Sequence, residues 1–244
     1  MAALGSDEIR TLTADQLAGL GSAQLRAIDT GDLAQVSVTA LAGLTSAQVG
    51  VLTAAQLDSM TVAQWTALSS TQVAALATQQ VAALSTARLN ALTTAQFTAL
   101  TTAQIAAFGA AQVAALESDD FAALRTAQIA AFTPAEISAL TTAQVARLGT
   151  TQSSALTTGQ IAALSSAQLN ALGTMQWVAL SSTQVAALAT QQVAALNTAR
   201  LNALTTAQFT ALTTAQIAAF GTAQVAALES DDFAALRTAQ IAAF

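Results

Sequence analysis

The sequence predicts an all-α fold, a tight solenoid of about thirty very short capped helices with one helix per eight-residue repeat. Three observations lead there. From Gly5 to Phe244 the chain divides into thirty octads without insertion or deletion. Positions 5 and 8 of the octad carry the large apolar residues, with Ser153 the one exception at position 5. Position 4 is Gln in 22 of the thirty, usually three residues after a Thr or Ser. Repeats at a fixed short period are the signature of quasi-one-dimensional architectures.

Each octad position has a local reason. Thr or Ser at position 1 followed by Gln at position 4 is the capping box, in which each side chain satisfies an orphan amide of the helix start. The apolar residue before it (position 8 of the previous octad) and the one at position 5 form a hydrophobic staple. Pro134, the only proline, falls at position 2, the first helical residue, where a missing N–H costs nothing. Glu136 then stands in the position-4 slot. Gly at position 1 (Gly21, Gly109, Gly149, Gly173, Gly221) suits both a helix C-terminal turn and an N-cap. A continuous helix is excluded because eight residues turn through about 800°, so the stripe would drift by about 80° per octad. A strand is excluded because positions 5 and 8 would face opposite sides. A helix of roughly five to seven residues remains, far below the roughly 12–15 needed for isolated stability, so it persists only against neighbours.

Along the chain, the octads from Asp29 to Leu44, with Asp32 and Ala40 at position 4, are the most degenerate and are read as a bend. Ser69 to Phe132 recurs as Ser181 to Phe244, 112 residues or fourteen octads later, with only Ser85/Asn197 and Ala110/Thr222 differing. The whole of residues 1–244 therefore reads as one continuous octapeptide-repeat solenoid with a 112-residue super-repeat, and the mid-pattern ends read as those of a fragment of a longer protein. The number of octads per turn is not legible.

Composition restricts the chemistry. The 244 residues carry a net charge of −6, 8% charged residues, and no His or Cys; all seven basic residues are Arg. Thiolate or imidazole metal ligands and Ser–His or Cys–His nucleophile pairs are impossible. An acidic chain lacks the basic clusters that neutralise phosphates, so nucleic acid is not an expected partner. No stretch of about 20 apolar residues could span a bilayer, and the first eight residues lack the basic and apolar regions of a signal peptide. No cofactor and no catalytic residue are expected, and the chain is read as not an enzyme.

The candidate sites are few. Glu117, Asp119 and Asp120, repeated as Glu229, Asp231 and Asp232, offer oxygen donors for calcium. The same residues sit at the N-cap, N2 and N3, where acids complement the helix dipole, with Arg125 and Arg237 one octad later to offset them. Trp65 and Trp177 read as core rather than as stacking platforms, because both are at position 5. The Gln row could be an exposed ladder that grips a glycan or another copy, although capping explains it; the Thr column at position 2 is read as solvent-facing. Arg88 and Arg200 at position 4 read as surface variation, and Ser153 as a locally weak octad.

TPAEISAL (133–140) and TTAQVARL (141–148) resemble the opening helix of a TAL-effector repeat, but the base-reading loop is missing and the charge is wrong for DNA. The whole chain resembles the Ala/Thr-rich short tandem repeats of large bacterial secreted or cell-surface proteins, adhesins among them. That resemblance implies an extracellular or cell-surface stalk, spacer or matrix component. Self-association, lateral or end to end, is expected on a separate ground: two large apolar residues per octad bury too little to offset the ordering of eight residues. The alternative is a binding module, adhesin-type or scaffold, that uses a repeated surface to grip an elongated partner or an unknown surface ligand.

Overall fold

The computed structural model describes residues 5–244; Met1–Leu4, which belong to the stretch read above as lacking a signal peptide, lie outside the described residues. Every octad forms one helix, from α1 (Ser6–Arg10) to α30 (Thr238–Ile241), and the described residues contain no strand. The helices are four to six residues long, a little shorter than the pattern alone suggests. Asp29 to Leu44 forms two ordinary helices, Thr30–Leu33 and Val38–Ala42, capped by Asp29 and Ser37.

The helix ends where the position-8 residue becomes extended. Leu100 has φ −54° and ψ 139°, and its N–H closes the last turn on the Phe97 carbonyl at 3.2 Å. The next residue, Thr101, is extended as well, at φ −73° and ψ 158°, and starts the following helix as its N-cap. Two consecutive extended residues therefore make the corner, and no described residue has a positive φ. Gly at position 1 supplies no left-handed turn: Gly109 sits at φ −84° and ψ 159°, open to any residue. That is why Thr, Ser, Ala, Arg and Gly exchange there. Glycine is needed elsewhere, where octads crowd. A Cβ on Gly43 would lie 2.6 Å from the Ala14 Cβ, three octads away.

The chain forms two compact units, residues 1–124 and 125–244, of which the first is described from Gly5. Within each, a helix packs on the helix three octads ahead and behind. Hydrogen bonds reach 25 residues forward, as from Ser70 Oγ to the Ala95 carbonyl, and 28 to 31 residues back from the capping glutamines. One turn of each solenoid thus takes between three and four octads, the quantity the sequence left open. Position 5 fills the centre: from Leu17 to Ile217 every residue there is fully buried. Position 8 is nearly as closed, for instance Leu100 at 1% exposure and Met60 at 0%. Helices too short to stand alone are held by apolar burial that any isolated octad would lack.

Candidate functional site

The most organised polar array is the position-4 row. Gln96 shows its geometry. The Thr93 N–H donates to Gln96 Oε1 at 2.7 Å, and the Gln96 N–H donates to Thr93 Oγ1 at 3.3 Å, completing the capping box. The other end of the amide then points backwards. Gln96 Nε2 donates to the Trp65 carbonyl at 2.8 Å and the Leu68 carbonyl at 2.7 Å, at the C-terminal end of the helix four octads earlier. The Leu68 carbonyl lies just past the end of its helix, where no donor of that helix reaches it, while the Trp65 carbonyl, in the last turn, also receives the Leu68 N–H. One side chain therefore serves the start of its own helix and the end of another.

The same joint recurs throughout both units. Gln56 bonds the Leu25 and Ile28 carbonyls, Gln112 those of Val81 and Leu84, Gln160 those of Ile129 and Phe132, and Gln208 those of Trp177 and Leu180. These glutamines are buried. The row is not an exposed ladder, because the burial that satisfies the carbonyls also encloses the side chain. Gln16 and Gln24, which have no octad four behind them among the described residues, are exposed. The capping motif predicted the Oε1 half of this arrangement; nothing local could have predicted the Nε2 half, whose partners lie 28 to 31 residues away.

Arg88 and Arg200 are not simple surface variation. Arg88 Nε donates to the Asp58 carbonyl at 2.8 Å and Arg200 Nε to the Asn170 carbonyl at 3.2 Å, so each performs the backward half of the glutamine's task. Ser153, in the core column, is fully buried and donates its hydroxyl to the Gly149 carbonyl at 3.0 Å, leaving no orphan hydroxyl. Trp65 and Trp177 are fully buried, and each indole N–H donates to a carbonyl one octad earlier, Leu57 at 3.1 Å and Leu169 at 3.2 Å. They are core residues with satisfied polar atoms.

Among the described residues, those of the acidic octads included, no three His, Cys, Asp or Glu side chains converge. Asp120 turns into the position-4 slot and accepts from Thr94 Oγ1 at 3.1 Å. Burial pushes its carboxyl above the ordinary 3.8, the Thr94 bond works the other way, and Glu117 and Asp119 add to the rise. Asp232 is raised by burial and then by Glu229 and Asp231. The Arg237 guanidinium bonds Gln240 Oε1 and the Thr210 carbonyl rather than a carboxylate. An apolar cavity of 390 Å³ lies among Ile217, Phe220, Val225 and Phe244. No described helix is long and apolar enough to cross a membrane.

Short helices at a fixed octad period, packed on the helices three octads ahead and behind, define an all-helical tandem-repeat protein. The chain belongs to the ALTTAQ repeat family: the family's model matches residues 25–62, 74–110, 113–150, 138–166, 153–190 and 185–222. No curated protein sequence matches the chain.

Proposed function

We propose that this chain is a structural repeat protein without catalytic activity, a stalk or spacer or else the self-associating unit of a filament or matrix. The observation that carries this reading is the destination of the polar groups. The buried capping glutamines engage an N-cap amide and the carbonyls of an earlier helix. Their hydrogen-bonding capacity is thus directed inward, to the continuity of the repeat, and not to a ligand. Self-association has its own support in apolar side chains turned outward, Val62 at 56% and Met175 at 68% exposure, with Val178 beside the latter in the same helix. Placement outside a bacterial cell or on its surface rests on the resemblance of the Ala/Thr-rich repeats alone.

Small-angle X-ray scattering over a concentration series, on the full chain and on a variant lacking residues 69–180, tests this. The deletion removes fourteen octads and joins Leu68 to Ser181 in register. A spacer gives a particle with an unchanged cross-section that shortens in proportion to the octads removed. Growth with concentration identifies the associating form. A maximum dimension that does not shorten overturns the reading.

A further inference from the structure

Asp or Asn occurs at octad position 6 at only four places, residues 58, 90, 170 and 202. Thirty residues after each, position 4 is not Gln: Arg88, Asp120, Arg200 and Asp232. The four instances are two pairs related by the 112-residue super-repeat, so the association has arisen at two kinds of joint. Its physical content is visible at both Arg joints. With Arg at position 4, no Gln Oε1 is present for the N-cap amide. Asp58 Oδ1 replaces it from four octads back, accepting the Ser85 N–H at 3.3 Å and the Ser85 hydroxyl at 2.6 Å. Asn170 Oδ1 does the same for the Asn197 N–H at 2.9 Å, and its Nδ2 donates to the Ala195 carbonyl.

We infer that an Asp or Asn at position 6 and an Arg at position 4 thirty residues later form an exchangeable joint, a paired key that fixes which octad lies over which. In the ordinary joint one glutamine both accepts from the N-cap amide and donates backwards. In the key joint the two roles are divided, with the acceptor coming from the earlier octad and the donor from the later. A near-identical repeat can slip by eight residues at little cost, because each octad resembles the next. A slip at a key joint places Arg88 over an octad without the acceptor, Gly50 or Thr66 standing where Asp58 should be, and leaves the Ser85 amide without its acceptor.

The key works through acceptor geometry rather than charge, since the neutral Asn170 replaces Asp58. The N-cap residue differs along with it. Ser85, opposite Asp58, gives its hydroxyl to the carboxylate, whereas Asn197, opposite Asn170, uses its own Oδ1 to accept the Arg200 N–H at 2.9 Å. Ser85/Asn197 is one of only two differences across the 64 duplicated residues. At the acidic joints the same 27-residue spacing sets Asn90 against Glu117 and Asn202 against Glu229. There the Asn Oδ1 atoms are buried and accept no hydrogen bond. The divided joint is therefore complete only where the later residue is Arg.

The test moves the key. In the full chain, Gln96→Arg removes the acceptor for Thr93, and Thr66→Asp, thirty residues before position 96, supplies one from the key position. Denaturant unfolding of the parent, both single variants and the double variant gives the coupling. Gln96→Arg alone is expected to raise the unfolding equilibrium constant about tenfold or more, and the double variant to return within about threefold of the parent. At the native key, Asp58→Ala is expected to weaken folding about threefold to tenfold in the presence of Arg88 and to have little effect with Arg88→Gln, which restores the one-residue joint. If a single variant does not fold, folding of the corresponding double variant gives the same answer. Additive effects at both joints overturn the inference.

Discussion

Replacing Gln96 by Ala separates a helix cap from a joint. A capping residue alone, such as Thr93, costs about 1 kcal/mol when replaced by Ala. The structure gives Gln96 more to lose. Its Oε1 accepts the Thr93 N–H, and its Nε2 is the donor to the Leu68 carbonyl and a second donor to the Trp65 carbonyl, which also receives the Leu68 N–H at 3.2 Å. Gln96 is 2% exposed, so water does not readily replace it. Two groups, one N–H and one carbonyl, lose their partner at about 1–3 kcal/mol each, so the substitution costs about 2–6 kcal/mol. Trp65 lies at the joint and reports on it once Trp177 is replaced by Phe in every variant. Denaturant unfolding followed by Trp65 fluorescence and by far-ultraviolet circular dichroism gives the two costs side by side. If Gln96→Ala is no more damaging than Thr93→Ala, the backward hydrogen bonds contribute nothing and the three-way joint is refuted.

Three other outcomes follow from the same geometry. A carboxyl with a raised folded-state pKa contributes stability that is full below its unfolded value of 3.8 and lost as pH rises through the folded value. Thermal melts should therefore show a gain on acidification from neutral pH towards 3.8 that Asp120→Asn with Asp232→Asn diminishes, while those substitutions raise stability at pH 7. Leu100→Asp puts a charge at a core position 1% exposed. It should cost more than about 4 kcal/mol and raise hydrogen exchange across several octads, three and four units away included; a loss confined to octad 93–100 would contradict the packing. Trp65→Phe removes the indole donor from the Leu57 carbonyl, which keeps the Met60 N–H at 3.3 Å. A loss of about 0.5–1.5 kcal/mol in denaturant unfolding is expected for the hydrogen bond, and an unchanged midpoint would count against that bond.

What the sequence determined by itself is everything with a range of a few residues. The helix in each octad, its start at Thr or Ser, the place of Pro134 at the first helical residue and, from Leu25 to Ile217, the inward columns at positions 5 and 8 all follow from capping chemistry and apolar spacing, and all stand in the structure. Even Trp65 and Trp177 were legible as core, because their position in the octad outweighed their chemistry. Tertiary structure decided whatever depends on which octads meet. It set between three and four octads to a turn, turned the glutamine row inward from what could have been an exposed ladder, and gave Arg88 and Arg200 a role that no local rule assigns. The corner itself was half legible: Gly at position 1 suited a helix C-terminal turn and an N-cap, and it is the N-cap, with two consecutive extended residues making the corner. Local rules assign a side chain one partner, and an amide has two ends. The second end of Gln96 finds Leu68 only after the chain has gone once around, and nothing within eight residues of Gln96 records that distance.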